Sequence, residues 1–194
     1  DVVIPLPRMA EYTDGIERIN IELSLRNKLE FCDALTEFFA SGSLPLGKTA
    51  DANDIPAAEL LGDRVAQALA LVAEVRAQWQ GWLNDVDGLF VQLQDHSLRA
   101  SWKTQLRVPL QNIFTGAAFE AILAECTTIH KRVLKGRVWV ALHMHAGDGN
   151  VHTNIPVNSD DYEMLQAAHG AVKRIMALAR SLDGVISGEH GIGI

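Results

Sequence analysis

The sequence predicts an α+β protein in which helices cover an antiparallel sheet. Long stretches carry apolar residues at three- or four-residue intervals, which indicates amphipathic helices. Two β-rich runs in the last third of the chain flank an Asp-Gly pair, which indicates a hairpin. The strands are too few for a doubly wound parallel sheet, so the mixture favours α+β over α/β.

The first 56 residues begin with the short β-branched run 1–9, which two prolines interrupt as expected near a sheet edge. Helical periodicity follows as far as Ser41, with Gly15 as a candidate break between two helical pieces. Residues 41–56 are rich in Gly, Pro, Ser, Asp and Asn and predict a loop.

A second helical block is predicted over residues 56–112. Its tryptophans could form an aromatic cofactor box, but their spacing favours core packing between helices: Trp79, Trp82 and Trp102. Another amphipathic helix is predicted over residues 119–134, with Gly136 at its C-terminal cap.

The C-terminal part is predicted to hold the hairpin and one more helix. The strands are 137–146 and 151–157. The helix is expected to start with Asp160 and Glu163 at capping-box spacing and to end at Asp183-Gly184.

Composition narrows the class of function. The 194 residues carry a formal net charge of −7 without a cluster of Lys and Arg, so no nucleic-acid partner is expected. No apolar stretch approaches the ~20 residues of a membrane span. Cys32 and Cys126 lie in apolar helical stretches without CxxC spacing, which favours buried thiols in a reducing, cytoplasmic compartment.

The hairpin brings two histidines together. A two-residue type I′ turn at Asp148-Gly149 would pair His145 directly with His152, close enough for both imidazoles to bind one metal ion. The same alternation places His143 and Asn154 on that face. A longer turn would change the register but keep the histidines near the end of the hairpin.

A glycine-rich segment at residues 187–193 adds an acid and a base. Its glycines can present Glu189 and His190 from a tight loop. Two imidazoles and the Glu189 carboxylate would give three protein ligands and an open coordination position, as in catalytic metal sites. His190 would then be free for proton transfer. The histidines elsewhere are interpreted as structural: His96, His130 and His169.

At these residues the sequence resembles the C-terminal region of FAD-linked oxidases that act on D-2-hydroxy acids. The matching strings are HAGDGNVHTNI at 145–155 and SGEHGIG at 187–193, and the opening DVVIPLPRM is similar to a strand of that family. The resemblance implies an antiparallel, ferredoxin-like cap domain. Residues 42–112 look longer and more helical than in the usual member, so we interpret them as an insertion.

The resemblance also implies roles for individual residues. His145, His152 and Glu189 resemble the ligands of a divalent metal ion, zinc or manganese, that holds the substrate. His190 resembles the base that takes the hydroxyl proton, and Asn154 resembles a substrate contact. Asp148 and Asn150 are interpreted as turn-forming residues.

The family's FAD-binding domain has no counterpart in this sequence. We therefore expect residues 1–194 to be the substrate domain of a longer flavoenzyme, inactive alone. The resemblance implies FAD as cofactor, with a small 2-hydroxy acid and the FAD-binding domain as partners. A cytoplasmic location is expected, with peripheral attachment at the inner membrane as the alternative.

Two other functions stay open at this stage. The chain could be a self-sufficient metal-dependent hydrolase that activates water with His145, His152 and Glu189. It could also be a non-catalytic interaction domain built around the helical block at 56–112.

Overall fold

The computed structural model of the chain describes residues 1–47, 55–145 and 147–186. They form two compact units. The sheet unit comprises the described residues of 1–24 and 136–194, and the helical unit comprises those of 25–135. In chain order, the helical unit therefore interrupts the sheet unit once.

Helices dominate the described residues. The α-helices are α1 (Met9–Ala40), α2 (Ala57–Leu61), α3 (Arg64–Asn84), α4 (Val86–Gln94), α5 (Val108–Ile113), α6 (Glu120–Lys135) and α7 (Tyr162–Ser181). A π-helical turn at Lys103–Arg107 precedes α5, and 3₁₀ turns occupy Leu6–Arg8 and Ala117–Phe119. The strands are β1 (Val2–Val3), β2 (Ala141–His145), β3 (Asn150–Asn154) and β4 (Val185–Ile186).

The strands of the described residues form one antiparallel sheet in the order β2-β3-β1-β4. Along the chain the sheet unit follows the order β1, α1, β2, β3, α7, β4. This order is the split βαβ arrangement of ferredoxin-like folds. The predicted α+β class and antiparallel sheet are confirmed.

The core of the sheet unit lies between one face of the sheet and the helices α1 and α7. It is built from side chains that are at most 5% exposed: Val2, Ile4, Tyr12, Ile16, Ile19, Val140, Val151, Ala171, Ile175, Ala179 and Leu182. Burial of these apolar groups is the main force that holds the helices against the sheet.

Helix α1 continues through Gly15, so the break considered there is wrong. The glycine serves packing instead. A Cβ at position 15 would lie 2.5 Å from Cδ2 of Leu178, so only a glycine lets the Leu178 side chain of α7 pack this closely.

Helix α7 starts one residue later than its capping box predicts. Asp161 is the N-cap, and its Oδ1 accepts a hydrogen bond of 3.0 Å from the backbone N–H of Met164. The predicted pair of Asp160 and Glu163 therefore does not form the cap. At the other end, Asp183 itself adopts a left-handed φ of 59°.

The predicted strand 137–146 is shorter than expected at its start. Val140, directly before β2, has both backbone groups bonded to the Asn20 side chain, at 2.7 and 2.9 Å. The strand predicted over 151–157 begins at Asn150 and ends at Asn154, two residues before Pro156.

The predicted packing of the helical unit is confirmed in its main features. Trp79 is fully buried, and its indole N–H donates to Oε1 of Gln105 at 3.0 Å. Trp82 and Trp102 are half-buried. Both cysteines are buried free thiols, and burial raises the pKa of Cys32 and Cys126 to about 12.

The loop predicted at 41–56 lies partly outside the described residues. Residues 41–47 and 55–56 are not helical, and the predicted block at 56–112 is divided into several helices. No helix among the described residues combines the length and hydropathy needed to cross a membrane. The interpretation of residues 42–112 as an insertion stays a prediction.

Candidate active site

The sheet has one apolar face and one polar face. Side chains alternate between the two faces along a strand, so Val151 points into the core while its neighbours Asn150 and His152 lie on the opposite face. We call this opposite face the open face. Its polar residues are Asp1, His143, His145, Asn150, His152 and Asn154.

The hairpin register differs from the two-residue turn that the sequence favours. His145 pairs with Asn150, and His143 pairs with His152. The direct pairing of His145 with His152 is therefore wrong, because four residues, 146–149, connect the strands instead of two. The shift moves the pairing by two positions, and side chains alternate with period two, so both histidines stay on the same face.

The conformation of this turn depends on Gly149. Its φ is 68°, and a Cβ there would lie 2.4 Å from the carbonyl oxygen of Ile4. The carbonyl of Gly149 accepts a 2.8 Å hydrogen bond from the Ile4 backbone N–H. The glycine thus joins the hairpin turn to the segment that follows β1.

The structure brings His145 and His152 together despite the changed register. Their ring centroids are 5.6 Å apart, with the ring planes at 84° to each other. His145 is exposed, and His152 is partly buried. Two imidazoles on one strand pair at this separation can act on the same small ligand.

Asp1 is a member of this site that the sequence did not predict. Its Oδ1 lies 3.0 Å from Nδ1 of His152, and the two side chains are 12% and 21% exposed. The contact arises because Val2 pairs with Val151, which places Asp1 beside His152. This pairing joins residues about 150 positions apart in sequence, so no local pattern reveals it.

The other predicted site residue among the described residues is Asn154. It is exposed at the end of β3, opposite Ala141 and on the same face as His152. His143, which the sequence left open, also lies on this face, directly opposite His152.

Glu189 and His190 lie outside the described residues, so their predicted roles stay predictions. Strand β4 ends at Ile186, one residue before the SGEHGIG segment begins. Among residues 1–47, 55–145 and 147–186, no cluster of three or more His, Cys, Asp or Glu side chains has a geometry that could hold a metal ion. The predicted ligand set needs Glu189 as its third member.

His130 of α6 is one of the histidines interpreted as structural, and its ring lies in an aromatic cluster with Phe31 and Trp102. Its ring stacks on Trp102 at 5.0 Å and meets Phe31 edge-on at 5.1 Å. Burial, together with the positive charge of Lys28, lowers the pKa of His130.

Comparison with known families places the hairpin within a described domain. Residues 115–194 match the family described as "FAD linked oxidases, C-terminal domain". This segment contains β2, β3, α7 and β4. No solved structure gives a significant match to the chain.

Three curated relatives are dehydrogenases of hydroxy acids. The "Probable D-lactate dehydrogenase, mitochondrial" of Danio rerio is 40% identical over 50 residues, which are 26% of this chain and 10% of the relative. The "D-2-hydroxyglutarate dehydrogenase" of Xanthomonas citri pv. viticola is 28% identical over 147 residues, or 69% and 30% of the two chains. The "D-lactate dehydrogenase" of Archaeoglobus fulgidus is 51% identical over 49 residues, or 25% and 10%. The chain thus matches less than a third of the length of each relative.

Proposed function

We propose that the chain is the substrate domain of an FAD-dependent D-2-hydroxy acid dehydrogenase, since residues 115–194 match the family described as "FAD linked oxidases, C-terminal domain". The enzyme would oxidise the 2-hydroxyl group of its substrate to a 2-oxo group. The hydride from C2 would pass to FAD, which a domain outside this chain would bind. The observation that carries the proposal is the pair of histidines on the open face, inside the matched segment.

The open face suits a small hydroxy acid. It offers imidazoles and amides that can hydrogen-bond to a hydroxyl and a carboxylate, and three of its side chains are exposed: His143, His145 and Asn154. Asn154 would contact the substrate. His190 would take the hydroxyl proton as the hydride leaves C2, so that the substrate loses one proton and one hydride in total.

The proposal includes a divalent metal ion, zinc or manganese, held by His145, His152 and Glu189. The separation of the two rings fits this role. With an N–Zn bond of ~2.0 to 2.1 Å, each ring centroid lies roughly 3 Å from the ion, and a tetrahedral angle puts the two centroids roughly 5 Å apart. The 5.6 Å between His145 and His152 is close to this value. A bound ion would act as a Lewis acid that lowers the pKa of the substrate hydroxyl.

The test is a dehydrogenase assay on the native flavoprotein that contains this chain. We expect reduction of an artificial electron acceptor with D-lactate, D-2-hydroxyglutarate or glycolate as substrate. His190→Gln should lower kcat/KM about 100-fold or more, because general-base catalysis contributes at least this factor. His169→Ala is the matched control: it removes an exposed histidine of α7 and should leave the rate unchanged.

Two results would contradict the proposal. One is a native flavoprotein that oxidises none of the three acids. The other is zinc-dependent hydrolytic turnover by the isolated 194-residue chain, which would favour the hydrolase alternative.

A further inference from the structure

We propose that Asp1 is a positioning residue that holds the His152 imidazole in the tautomer with the proton on Nδ1 and the lone pair on Nε2. The inference rests on the proposed function, because it assigns His152 a ligand on the open face. It adds a residue that neither the matched domain segment nor the hairpin motif contains, since Asp1 lies more than 100 residues before both.

The hydrogen bond itself determines the tautomer. An ionised carboxylate can only accept hydrogen bonds, so at 3.0 Å the Nδ1 atom of His152 must be the donor to Oδ1 of Asp1. A neutral imidazole carries one ring proton. With that proton on Nδ1, Nε2 is the unprotonated nitrogen and carries the lone pair.

Burial gives this hydrogen bond its strength. The side chains of Asp1 and His152 are 12% and 21% exposed, so water replaces the contact poorly. A charge-assisted hydrogen bond in such a place is stronger than one between neutral groups in water.

The position of Asp1 is also fixed by the core. The next residue, Val2, is 3% exposed and pairs with Val151 on one side and Ile186 on the other. Ile4 is 1% exposed and is bonded to the turn through Gly149. The carboxylate is therefore held on a rigid element, as the supporting partners of well-ordered ligands are.

The hydrogen bond from Nδ1 affects how His152 would bind a metal ion or a hydroxyl group through Nε2. A histidine that binds a metal almost always donates its other ring N–H to a carboxylate, a carbonyl or water, and loss of that partner typically weakens metal binding 10- to 100-fold. Asp1 has this relation to His152. It supports Nε2 as the atom that faces the ligand.

The first measurement is the tautomer of His152 in the 194-residue chain, by nitrogen-15 NMR at about pH 8, where imidazole is mostly neutral. We expect a protonated Nδ1 and an unprotonated Nε2. A proton on Nε2 alone would overturn the proposal without a variant being made.

The second measurement compares Asp1→Ala with the control Asp148→Ala, an exposed carboxylate in the turn next to His145. In Asp1→Ala we expect His152 to lose its preference for the Nδ1 proton and the dissociation constant of Zn²⁺, measured by calorimetry, to rise at least 10-fold. Asp148→Ala should change neither quantity. An unchanged tautomer in a folded Asp1→Ala chain would refute the positioning role.

The outcomes separate this inference from the proposed function. A changed tautomer in Asp1→Ala together with a native flavoprotein that oxidises no hydroxy acid would keep the positioning role and refute the dehydrogenase. Dehydrogenase activity lost in His152→Ala but kept in full in Asp1→Ala would keep the dehydrogenase and refute the positioning role.

Discussion

At the scale of single residues, the hairpin depends on the face that its histidines share and on one glycine in its turn. The proposed site needs both histidines of the hairpin on the same face of the sheet. Gly149 allows the turn conformation that the hairpin adopts. The sequence predicted the face correctly because alternation along a strand is a local property. It did not predict the register, because Ile4 and Gly149 interact across about 145 positions of sequence.

The turn provides a matched pair of glycine variants. Gly149→Ala should lower the free energy of unfolding by about 2 kcal/mol or more, because the new Cβ would meet a φ of 68° and the Ile4 carbonyl at 2.4 Å. Gly147→Ala should have little effect, since nothing lies within 4 Å of its added Cβ. Urea unfolding of both variants measures the difference. Equal stabilities would contradict the described turn.

Removal of the buried Tyr12 hydroxyl should make the protein more stable. It is fully buried, its hydroxyl has no hydrogen-bond partner among the described residues, and burial raises its pKa to about 12. An unpaired buried hydroxyl costs about 1 to 3 kcal/mol. Tyr12→Phe should therefore raise the free energy of unfolding by about 1 kcal/mol. Tyr162 is 73% exposed, so Tyr162→Phe is the control and should leave the stability unchanged. A marked loss of stability in Tyr12→Phe alone would show that the Tyr12 hydroxyl is hydrogen-bonded.

At the scale of elements, the sequence predicted helices and strands well and their ends less well. Helix α1 runs through Gly15 because packing against Leu178 compensates for the weak helix propensity of glycine. Strand β2 begins late because the Asn20 side chain occupies the backbone groups of Val140. Both causes are tertiary contacts, which a local pattern does not contain.

The contact between α1 and β2 is directly testable. The amide of Asn20 bonds both the N–H and the C=O of Val140, a residue that is 3% exposed. Asn20→Ala leaves two buried backbone groups without partners, so we expect a loss of about 2 kcal/mol or more in the free energy of unfolding. Asn112→Ala, an exposed helical position, should change stability by less than about 0.5 kcal/mol. A tolerated Asn20→Ala would show that the contact contributes little.

We expect stability to depend on pH through His130, which packs against Phe31 and Trp102 in the helical unit. Burial, and then Lys28, lower the pKa of His130 below the 6.5 of an ordinary histidine. Below about pH 6.5 the His130 imidazole is protonated in the unfolded chain more readily than in the folded chain. His130 therefore lowers the free energy of unfolding as the pH falls. His130→Phe should lessen this fall as the pH is lowered below about 6.5 in thermal unfolding. The same pH profile in both proteins would argue against the lowered pKa.

At the scale of the whole molecule, the chain combines a ferredoxin-like sheet unit with a helical unit of residues 25–135. The hairpin motif lies in the sheet unit. Among the described residues, α1 and α7 cover one face of the sheet, and the polar side chains of the hairpin lie on the other face. The two motifs made the family recognisable from sequence, because each string is long and specific. The role of the helical unit was not predictable, since its apolar faces indicate packing and nothing more specific.

The most direct test of the proposed function is single-turnover reduction of the flavin under anaerobic conditions, in the longer flavoprotein of which we propose this chain is a part. We predict that at least one of D-lactate, D-2-hydroxyglutarate and glycolate bleaches the oxidised flavin band and yields one 2-oxo acid per flavin. The corresponding L-acid and the His152→Ala variant should reduce the flavin far more slowly. Flavin that stays oxidised with all three acids, or reduction that is the same in His152→Ala, would contradict the proposal that the open face binds the substrate.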